Sequence, residues 1–390
     1  MKPVLYLYCQ HSLGMGHLVR SLALARAMSA TFEVHMLSGG QAPDGFAMPS
    51  QINVHHLPAL GMRGSDLVSL EAGLDVEAVK ASRLRAIGQL LTRIPPDVLV
   101  TELYPFGRKK FAFELDLLIA AAHRRGAPVV CSVRDLLVSA RADQQRHDDR
   151  AAQKLNAAYD AVIVHADRAF ARLEETFKPS ITLDVPVHYS GFVIPNPPSE
   201  VSATRERRVV VSAGGGIVGG PLFRAAIDMH AATYHELQLP MTLVAGPFLP
   251  DPEWNEIQSL ANGIDGLTLL RSTPDLCALM NRATHSVSQF GYNTAIDLMV
   301  AGPAAVVVPY AAGNETEQTV RAERLAAAGM ISVVPEQILS AATLAVALRS
   351  ASAPSGADAF ALDGANQTAR ILQSLLGEAH RVRTAMEATT

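Results

Sequence analysis

RRVVVSAGGGIVGGPLFRAAIDMH, residues 207–230, decides the fold class of this chain. An apolar strand-like run ends at three glycines, and Leu222–His230 then carries apolar residues at helical spacing. Glycines between a strand and a helix let a phosphate or sugar approach the backbone closely, although the spacing is not the dinucleotide GxGxxG fingerprint. The segment predicts a βα unit with Gly214, Gly215 and Gly216 at a ligand site, and a flexible connector is the structural alternative.

The N-terminus repeats this arrangement. Val4–Tyr8 reads as a strand, Gly14-Met15-Gly16-His17 as a glycine turn, and His17–Ser29 as a helix with one apolar face. Free N–H groups at a helix start favour an anion or a developing negative charge. His17 is therefore a candidate general base for an acceptor hydroxyl, and a helix-capping histidine is the structural alternative.

Strands alternate with helices along the whole chain, which predicts an α/β protein with parallel sheets. The first series stops near the proline-rich Gly191–Pro198, and a second series follows. With 390 residues, this predicts two domains, residues 1–195 and 196–390. The predicted strands of the two halves are Val4–Tyr8, Val34–Leu37, Ile52–Leu57, Val98–Thr101, Val129–Ser132 and Ala161–His165, then Arg208–Ser212, Thr242–Ala245, Leu267–Leu270, His285–Ser288, Ala305–Pro309 and Ile331–Val334.

SQFGYNTAID, residues 288–297, is a second candidate ligand segment. It ends a strand, turns at Gly291 and enters a helix, with Asn293 and Thr294 beside the free N–H groups and Asp297 one turn further on. This arrangement predicts a diphosphate at the helix start and a ribose near the carboxylate. A capped structural helix with a solvated Asp297 is the alternative.

A third polar segment, Ala312–Gln318, follows the next predicted strand. Open α/β sheets bind ligands at the carboxyl ends of their strands. Glu315, Glu317 and Gln318 are therefore expected near sugar hydroxyls, unless they form an acidic first helical turn.

Composition excludes several classes of protein. The net charge of −4 and the isoelectric point near 6.4 provide no basic field for nucleic acid. The three cysteines are far apart and lie in neither disulfide nor zinc patterns. The start is a poor signal peptide and no apolar run is long enough to span a membrane, so a cytoplasmic protein is expected, with peripheral membrane contact left open.

Together these motifs resemble the GT-B glycosyltransferases, in particular the family of the UDP-N-acetylglucosaminyltransferase that forms lipid II. The likeness covers essentially the whole chain and is most specific in Ser288–Pro309, Asn314–Gln318 and Arg321–Gly329. GYNT, EQxxRAExLA and the TELYPFGR of Thr101–Arg108 are similar to a bacterial branch of predicted glycosyltransferases. The resemblance implies two Rossmann-like domains whose sheets face each other across a cleft, with an acceptor-side first domain, a donor second domain, and a terminal helix able to pack back on the first.

The resemblance also implies the roles of individual residues. His17 matches the acceptor-facing histidine, and Asp297 replaces a ribose-binding glutamate. Ser272 and Thr273 lie where such enzymes hold the base, which favours uridine. The donor contacts implied are Gly214, Gly215, Gly216, Ser272, Thr273, Gln289, Gly291, Tyr292, Asn293, Thr294, Asp297, Glu315, Glu317 and Gln318, with Gly14 and Gly16 on the acceptor or phosphate side.

The first domain departs from the peptidoglycan enzyme at several polar positions expected to face the acceptor. Glu102 and Asp135 are rival candidates for the base, and Arg108 and Arg134 are candidates for an anionic acceptor or a phosphate. Interstrand ion pairs are the structural alternative for each of them. The full set is Glu102, Tyr104, Arg108, Glu114, Arg134 and Asp135.

The function expected is an inverting, metal-independent transfer of a sugar from a nucleoside-diphosphate sugar, with no cofactor beyond that substrate. A nucleotide-sugar hydrolase, a 2-epimerase and a non-catalytic nucleotide-sugar-binding protein remain alternatives, because one scaffold serves several functions. The sugar, the acceptor and the oligomeric state are not readable from the sequence.

Overall fold

The computed structural model describes residues 1–11, 16–41, 48–64, 66–139, 141–195, 204–311, 316–354 and 360–387. The chain divides into two compact units. The first contains Met1–Val193 and Ala361–Thr390, and the second contains Ile194–Phe360. Among the described residues no helix is long and apolar enough to cross a membrane.

The first unit is a doubly wound α/β structure. Its elements are β1 (Val4–Cys9), α1 (Gly16–Met28), β2 (Glu33–Ser38), β3 (Asn53–His56), β4 (Leu60–Arg63), β5 (Asp66–Ser69), α2 (Val76–Arg93), β6 (Val98–Glu102), α3 (Ala112–Arg124), β7 (Val129–Val133), α4 (Gln144–Ala158), β8 (Ala161–Val164), α5 (Leu173–Thr176) and β9 (Val187–Tyr189).

The sheet of this unit has seven strands in the order β3-β2-β1-β6-β7-β8-β9. All neighbouring strands pair in parallel, whereas β4 and β5 form a separate antiparallel hairpin. The β1 and β6 strands are fully or almost fully buried, as expected for a sheet covered on both faces. The strand order reverses between β1 and β6, and α/β sheets bind ligands beside the carboxyl ends at such a reversal.

The second unit repeats the architecture. Its elements are β10 (Glu206–Ser212), α6 (Gly220–Leu237), β11 (Met241–Val244), α7 (Asp251–Ala261), β12 (Leu267–Leu270), α8 (Leu276–Arg282), β13 (Ala283–Gln289), α9 (Tyr292–Ala301), β14 (Ala304–Val308), α10 (Glu317–Ala327), β15 (Ser332–Val333) and α11 (Ala341–Ser350). The six-stranded parallel sheet has the order β12-β11-β10-β13-β14-β15, so its strand order reverses between β10 and β13.

The last helix, α12 (Gly364–Glu387), returns to the first unit. Its Leu372 and Leu376 are buried in the same apolar cluster as Leu18 and Leu22 of α1. The chain crosses back beside Phe192, whose N–H donates to Ala361 at 2.8 Å and whose carbonyl accepts from Gly364 at 3.0 Å. The predicted domains were 1–195 and 196–390, with a terminal helix able to pack back on the first. The structure places residues 361–390 in the first unit, where α12 buries its apolar face.

Candidate functional site

The carboxyl ends of β1 and β6 place a histidine against a carboxylate. His17 lies in the first turn of α1, and Glu102 is the last residue of β6. His17 Nδ1 is 2.6 Å from Glu102 Oε1, with the His17 side chain 20% exposed and the Glu102 side chain 1% exposed. The Nδ1–H donates to the carboxylate, and Nε2 has no hydrogen-bond partner among the described residues. The ring is therefore oriented with one nitrogen available to accept a proton.

Two arginines hold the Glu102 carboxylate in its charged form. Arg20, one turn beyond His17 in α1, donates to Glu102 Oε1 at 2.7 Å, and its side chain is 2% exposed. Arg108 Nη2 approaches Oε2 at 3.5 Å. Burial alone would raise the pKa of Glu102, but the contacts with His17, Arg108 and Arg20 together lower that pKa well below its ordinary value.

The same surroundings keep His17 neutral near pH 7. Burial lowers the pKa of His17 to about 4, Glu102 opposes this shift, and Arg108 and Arg20 add to it. A neutral imidazole whose Nδ1–H is bound to a carboxylate can accept a proton at Nε2 and then be stabilised as an imidazolium. The arrangement suits activation of a hydroxyl group or a water molecule.

The second unit places the glycine turn beside the start of α9. Gly214 and Gly216 have φ angles of 58° and 92°, in the left-handed region that favours glycine. A Cβ on Gly216 would lie 2.4 Å from the Ala245 carbonyl oxygen, and one on Gly214 would lie 3.7 Å from Thr294 Oγ1. The backbone after β10 therefore runs close to the first turn of α9, which follows the neighbouring strand β13.

The N-terminus of α9 has the features of an anion site. Gly291 is its N-cap residue and forms no side-chain capping bond, while Asn293 is half-buried and Thr294 is buried in the first turn. Free helical N–H groups and the helix dipole favour a negative group at such an end. The predicted diphosphate segment thus adopts the expected strand, turn and helix.

Asp297 lies within α9 and is half-buried. Its carboxylate has no hydrogen-bond or ion-pair partner among the described residues. Burial, reinforced by the negative charge of Asp275, raises the pKa of Asp297 to about 7. Asp275 itself caps α8 by accepting from Ala278 N at 2.8 Å. A ligand hydroxyl group beside Asp297 would supply the hydrogen bond that the protein does not.

Comparison with known proteins extends these observations. Residues 14–182 match the glycosyl transferase 4-like domain. No curated protein matches the sequence significantly. Acinetobacter baumannii MurG is similar in structure at 16% identity, with 98% of this chain and 100% of that chain covered and a TM-score of 0.55.

Two ligand complexes are also similar in structure. The glycosyltransferase VinC in complex with dTDP has 15% identity, coverage of 97% of this chain and 99% of that chain, and a TM-score of 0.57. TcCGT1 in complex with UDP has 13% identity, complete coverage of both chains at 100%, and a TM-score of 0.58. Residues 14–182 thus match a glycosyl transferase 4-like domain, and the structural matches show a GT-B fold over the whole length of the chain.

The other first-unit candidates have different surroundings. Asp135 is 2% exposed and accepts from the adjacent Leu136 N at 2.8 Å. Arg134 donates from Nε to the Leu136 carbonyl at 3.3 Å. Gly16 begins α1, whereas Gly14 lies outside the described residues. Of this group, Arg108 contacts the histidine–carboxylate pair through Glu102 Oε2.

Glu114 does not face an acceptor, contrary to the prediction from sequence. It is fully buried and forms a two-pronged ion pair with Arg83, at 2.5 Å to Nη2 and 2.8 Å to Nε. Tyr8 also donates to its carboxylate. Tyr104, likewise placed in the acceptor group, donates to Asp116 at 2.9 Å. Glu114 and Tyr104 therefore form contacts within the protein, which was the alternative to an acceptor-facing role.

The predicted donor residues divide into exposed and structural positions. Ser272 is exposed and Thr273 half-buried after β12, where a ligand can reach them. Gln289 donates to the Val218 carbonyl at 2.9 Å, and the buried Tyr292 ring lies under the Arg321 guanidinium at 5.9 Å. Gln289 and Tyr292 thus also hold the loops together.

The predicted sugar contacts after β14 are partly engaged by the protein. Gln318 Oε1 accepts from Phe290 N at 3.1 Å and from Tyr310 N at 3.0 Å, so it joins the ends of β13 and β14 and leaves its amide nitrogen for a ligand. Glu317 is 6% exposed. Glu315 lies outside the described residues.

Two site residues were missed from the sequence. Arg20 contacts Glu102 directly. The one feature of the sequence that could have indicated this role is a charged residue near the start of the mostly apolar LVRSLALARAM helix. The negative charge of Asp275, at the start of α8, raises the pKa of Asp297 in α9, and no local sequence pattern links the two positions. No group of His, Cys, Asp and Glu suited to a metal ion occurs in the part of the chain that the structure describes.

Proposed function

We propose that this protein is a glycosyltransferase that moves a sugar from a nucleoside-diphosphate sugar to an acceptor hydroxyl, with inversion and without a metal ion. The contact that carries the proposal is the 2.6 Å pair of His17 and Glu102. It supplies a neutral base at the strand-order reversal of the first unit. The second unit supplies a helix start and a glycine turn suited to a diphosphate.

The donor is assigned to the second unit. The N-terminus of α9, with its helix dipole, is suited to the diphosphate, and the glycine turn Gly214–Gly216 lies close by. Asp297 accepts from the ribose, and the loop carrying Ser272 and Thr273 holds the base. VinC and TcCGT1 were solved with dTDP and UDP respectively, which supports a pyrimidine nucleotide donor, and we favour uridine.

The proposed reaction is a single displacement. His17 Nε2 removes the proton of the acceptor hydroxyl while its oxygen forms a bond to the anomeric carbon. The bond from that carbon to the diphosphate oxygen breaks on the opposite face, which inverts the anomeric configuration. Glu102 stabilises the imidazolium, and the helix-end amides stabilise the charge that develops on the diphosphate, a term that is often the largest in catalysis.

The test is nucleoside-diphosphate release from UDP- and dTDP-sugars with a panel of hydroxyl acceptors, in buffer containing EDTA. We expect release to require an acceptor and to fall by roughly 10²- to 10⁴-fold in His17→Ala. Asp135→Asn is the control for the rival base and should retain most of the activity. Release without any acceptor would indicate a hydrolase, and an altered sugar without release would indicate an epimerase. Unchanged transfer by His17→Ala would remove His17 from the role of base.

A further inference from the structure

A small cavity of the first unit lies next to the loop that follows Glu102. Its volume is about 50 Å³. Leu103 and Phe106 of that loop form one wall with Leu137, and Arg134, Arg141 and His147 provide the polar lining. At roughly 10–15 Å³ per water on this measure, the space holds a few waters. That size fits a carboxylate or a single phosphate and is too small for a sugar ring.

The charged groups of the lining favour an anion. Arg134 and Arg141 both line the cavity, with Arg134 Nε donating to the Leu136 carbonyl at 3.3 Å and Arg141 Nη1 donating to the Val138 carbonyl. Asp148 also lines the cavity, but its Oδ1 accepts from Gln144 Nε2 at 2.7 Å and lies 3.3 Å from His147 Nδ1, and its Oδ2 accepts from Lys178 N at 3.0 Å. Its negative charge is thus already bound by protein donors. Guanidinium groups suit both carboxylate and phosphate oxygens.

Positive charges are also crowded around this cavity. Burial lowers the pKa of Lys109, and the nearby Arg150 and Arg141 lower it further, against the opposing effect of Asp143 and Asp148. The pKa of His147 is likewise lowered by burial first and then by Arg141 and Lys109, against the opposing effect of the adjacent Asp148. Cations held close together repel one another, so an anion among them would be stabilised by their combined charge.

We propose that this cavity binds an anionic group, a carboxylate or a phosphate, carried by the acceptor. The inference rests on the proposed function, because it adds the chemical class of the acceptor. The loop from Leu103 to Arg108 links the cavity to the reaction site: its first residues line the cavity, and Arg108 contacts Glu102 at 3.5 Å. Leu103 and Arg108 have φ angles of 65° and 59°, so both ends of this loop hold an uncommon, costly conformation.

The first experiment measures whether inorganic phosphate enters the cavity. The full chain is saturated with UDP, so that phosphate does not compete for the donor site, and the histidine ring signals are followed by NMR as a function of pH. His147→Gln identifies the His147 signal among the 13 histidines. We expect phosphate to raise the pKa of His147 by about one unit, because a nearby anion favours the imidazolium. An unchanged His147 pKa at saturating phosphate would overturn the proposal.

Matched variants separate the cavity from the general charge of the protein. Arg141→Gln and, separately, Arg134→Gln should weaken phosphate binding by about tenfold or more, a cost typical of losing a charge-assisted hydrogen bond. Arg146→Gln removes the same charge from an exposed position of the same region and should change binding by less than about twofold. Equal weakening by Arg146→Gln and Arg141→Gln would overturn the proposal. If Arg141→Gln fails to fold, Arg141→Lys takes its place: it keeps the positive charge but loses the planar guanidinium, and phosphate binding should still weaken.

The acceptor's own group is distinguished from free phosphate by competition. Each active acceptor that carries a carboxylate or phosphate is compared with its neutral methyl ester. The acceptor assignment predicts that the anionic form has a KM about tenfold lower or more, that inorganic phosphate competes with it, and that Arg141→Gln removes the preference. Phosphate that binds without competing would overturn the assignment and indicate a free anion. Failure of UDP to bind would count against the donor site alone, since the His147 signal reports on the cavity.

Discussion

Replacing Arg20 by methionine tests how the pKa of His17 is set. The side chain is 2% exposed and donates to Glu102 Oε1 at 2.7 Å, on the same oxygen that His17 contacts at 2.6 Å. Methionine keeps the long apolar stem and removes the charge. Glu102 retains Arg108 and His17, and its carboxylate becomes a stronger partner for the imidazolium.

The magnitude follows from the distances. Arg20 Nη2 is 3.4 Å from His17 Nδ1, and the two charge centres lie somewhat further apart. Unit charges at roughly 4–5 Å in an effective dielectric of about 20 repel by roughly 3–4 kcal/mol, which is an upper limit for a ring that is partly exposed. We expect the pKa of His17 to rise from about 4 by at least about one unit.

The assay is the NMR titration of the His17 ring in the full chain, with His17→Gln to assign the signal. Arg20→Lys retains the charge and should leave the pKa of His17 within a few tenths of a unit of its wild-type value. The exposed Arg26 of the same helix gives the matched control Arg26→Met. In a transfer assay, the acidic limb of kcat/KM should move to higher pH by the same amount in Arg20→Met.

The reasoning is refuted if Arg20→Met folds with an unchanged His17 pKa. At pH 8, which is above the expected His17 pKa of both proteins, the histidine is mostly neutral in both, so a loss of rate there reports geometry and not ionisation. Removal of one partner from a buried ion pair costs about 3–5 kcal/mol when no other partner remains. The remaining contact with Arg108 should reduce that cost, and thermal unfolding of each variant measures it.

Three further predictions concern the second unit. Burial, reinforced by Asp275, raises the pKa of Asp297 to about 7, so its ionisation lowers the free energy of unfolding as pH rises from about 4 through 7. In urea denaturation, Asp297→Asn should therefore stabilise the protein more at pH 8 than at pH 5. The same variant should weaken UDP binding. A pH-independent difference would contradict this. Gly216→Ala, with φ at 92° and a clash at 2.4 Å, should destabilise the chain by about 2 kcal/mol or more and weaken UDP binding, whereas Gly88→Ala, with open space around it, should do neither. Gln318→Leu leaves two backbone N–H groups without their acceptor and should lower the free energy of unfolding by about 1–3 kcal/mol; a neutral effect would show that these bonds are replaced.

Local patterns predicted most of the fold because each parallel strand is a short apolar run with turn signals at its ends. Every predicted strand in both halves coincides in at least half of its residues with an observed one. The hairpin of β4 and β5 and the three-residue β9 were missed, since such short, partly exposed segments carry no clear periodicity. Helix α12 packs against α1 in the first unit. Its local sequence predicts an amphipathic helix but does not indicate which surface that helix covers.

The candidate site was predictable where a function depends on local geometry. His17 and the Gly291–Thr294 segment were singled out because strand, turn and helix follow one another in sequence, and their roles stay predictions. Glu102 was predicted as a rival base, and the structure instead makes it the partner of His17, since β1 and β6 are neighbours in the sheet although far apart in the chain. Glu114 was misassigned for the same reason: Arg83, which neutralises it, lies on another helix.

The most direct test of the donor assignment is thermal unfolding of the full chain with UDP, dTDP, GDP, NAD and a panel of UDP-sugars. A ligand at about 100 times its dissociation constant adds about 2.7 kcal/mol, which raises the midpoint by several degrees. The account predicts selective stabilisation by a uridine or thymidine nucleotide or its sugar, and loss of that stabilisation in Asp297→Asn. Stabilisation by NAD with none by any sugar nucleotide would contradict it.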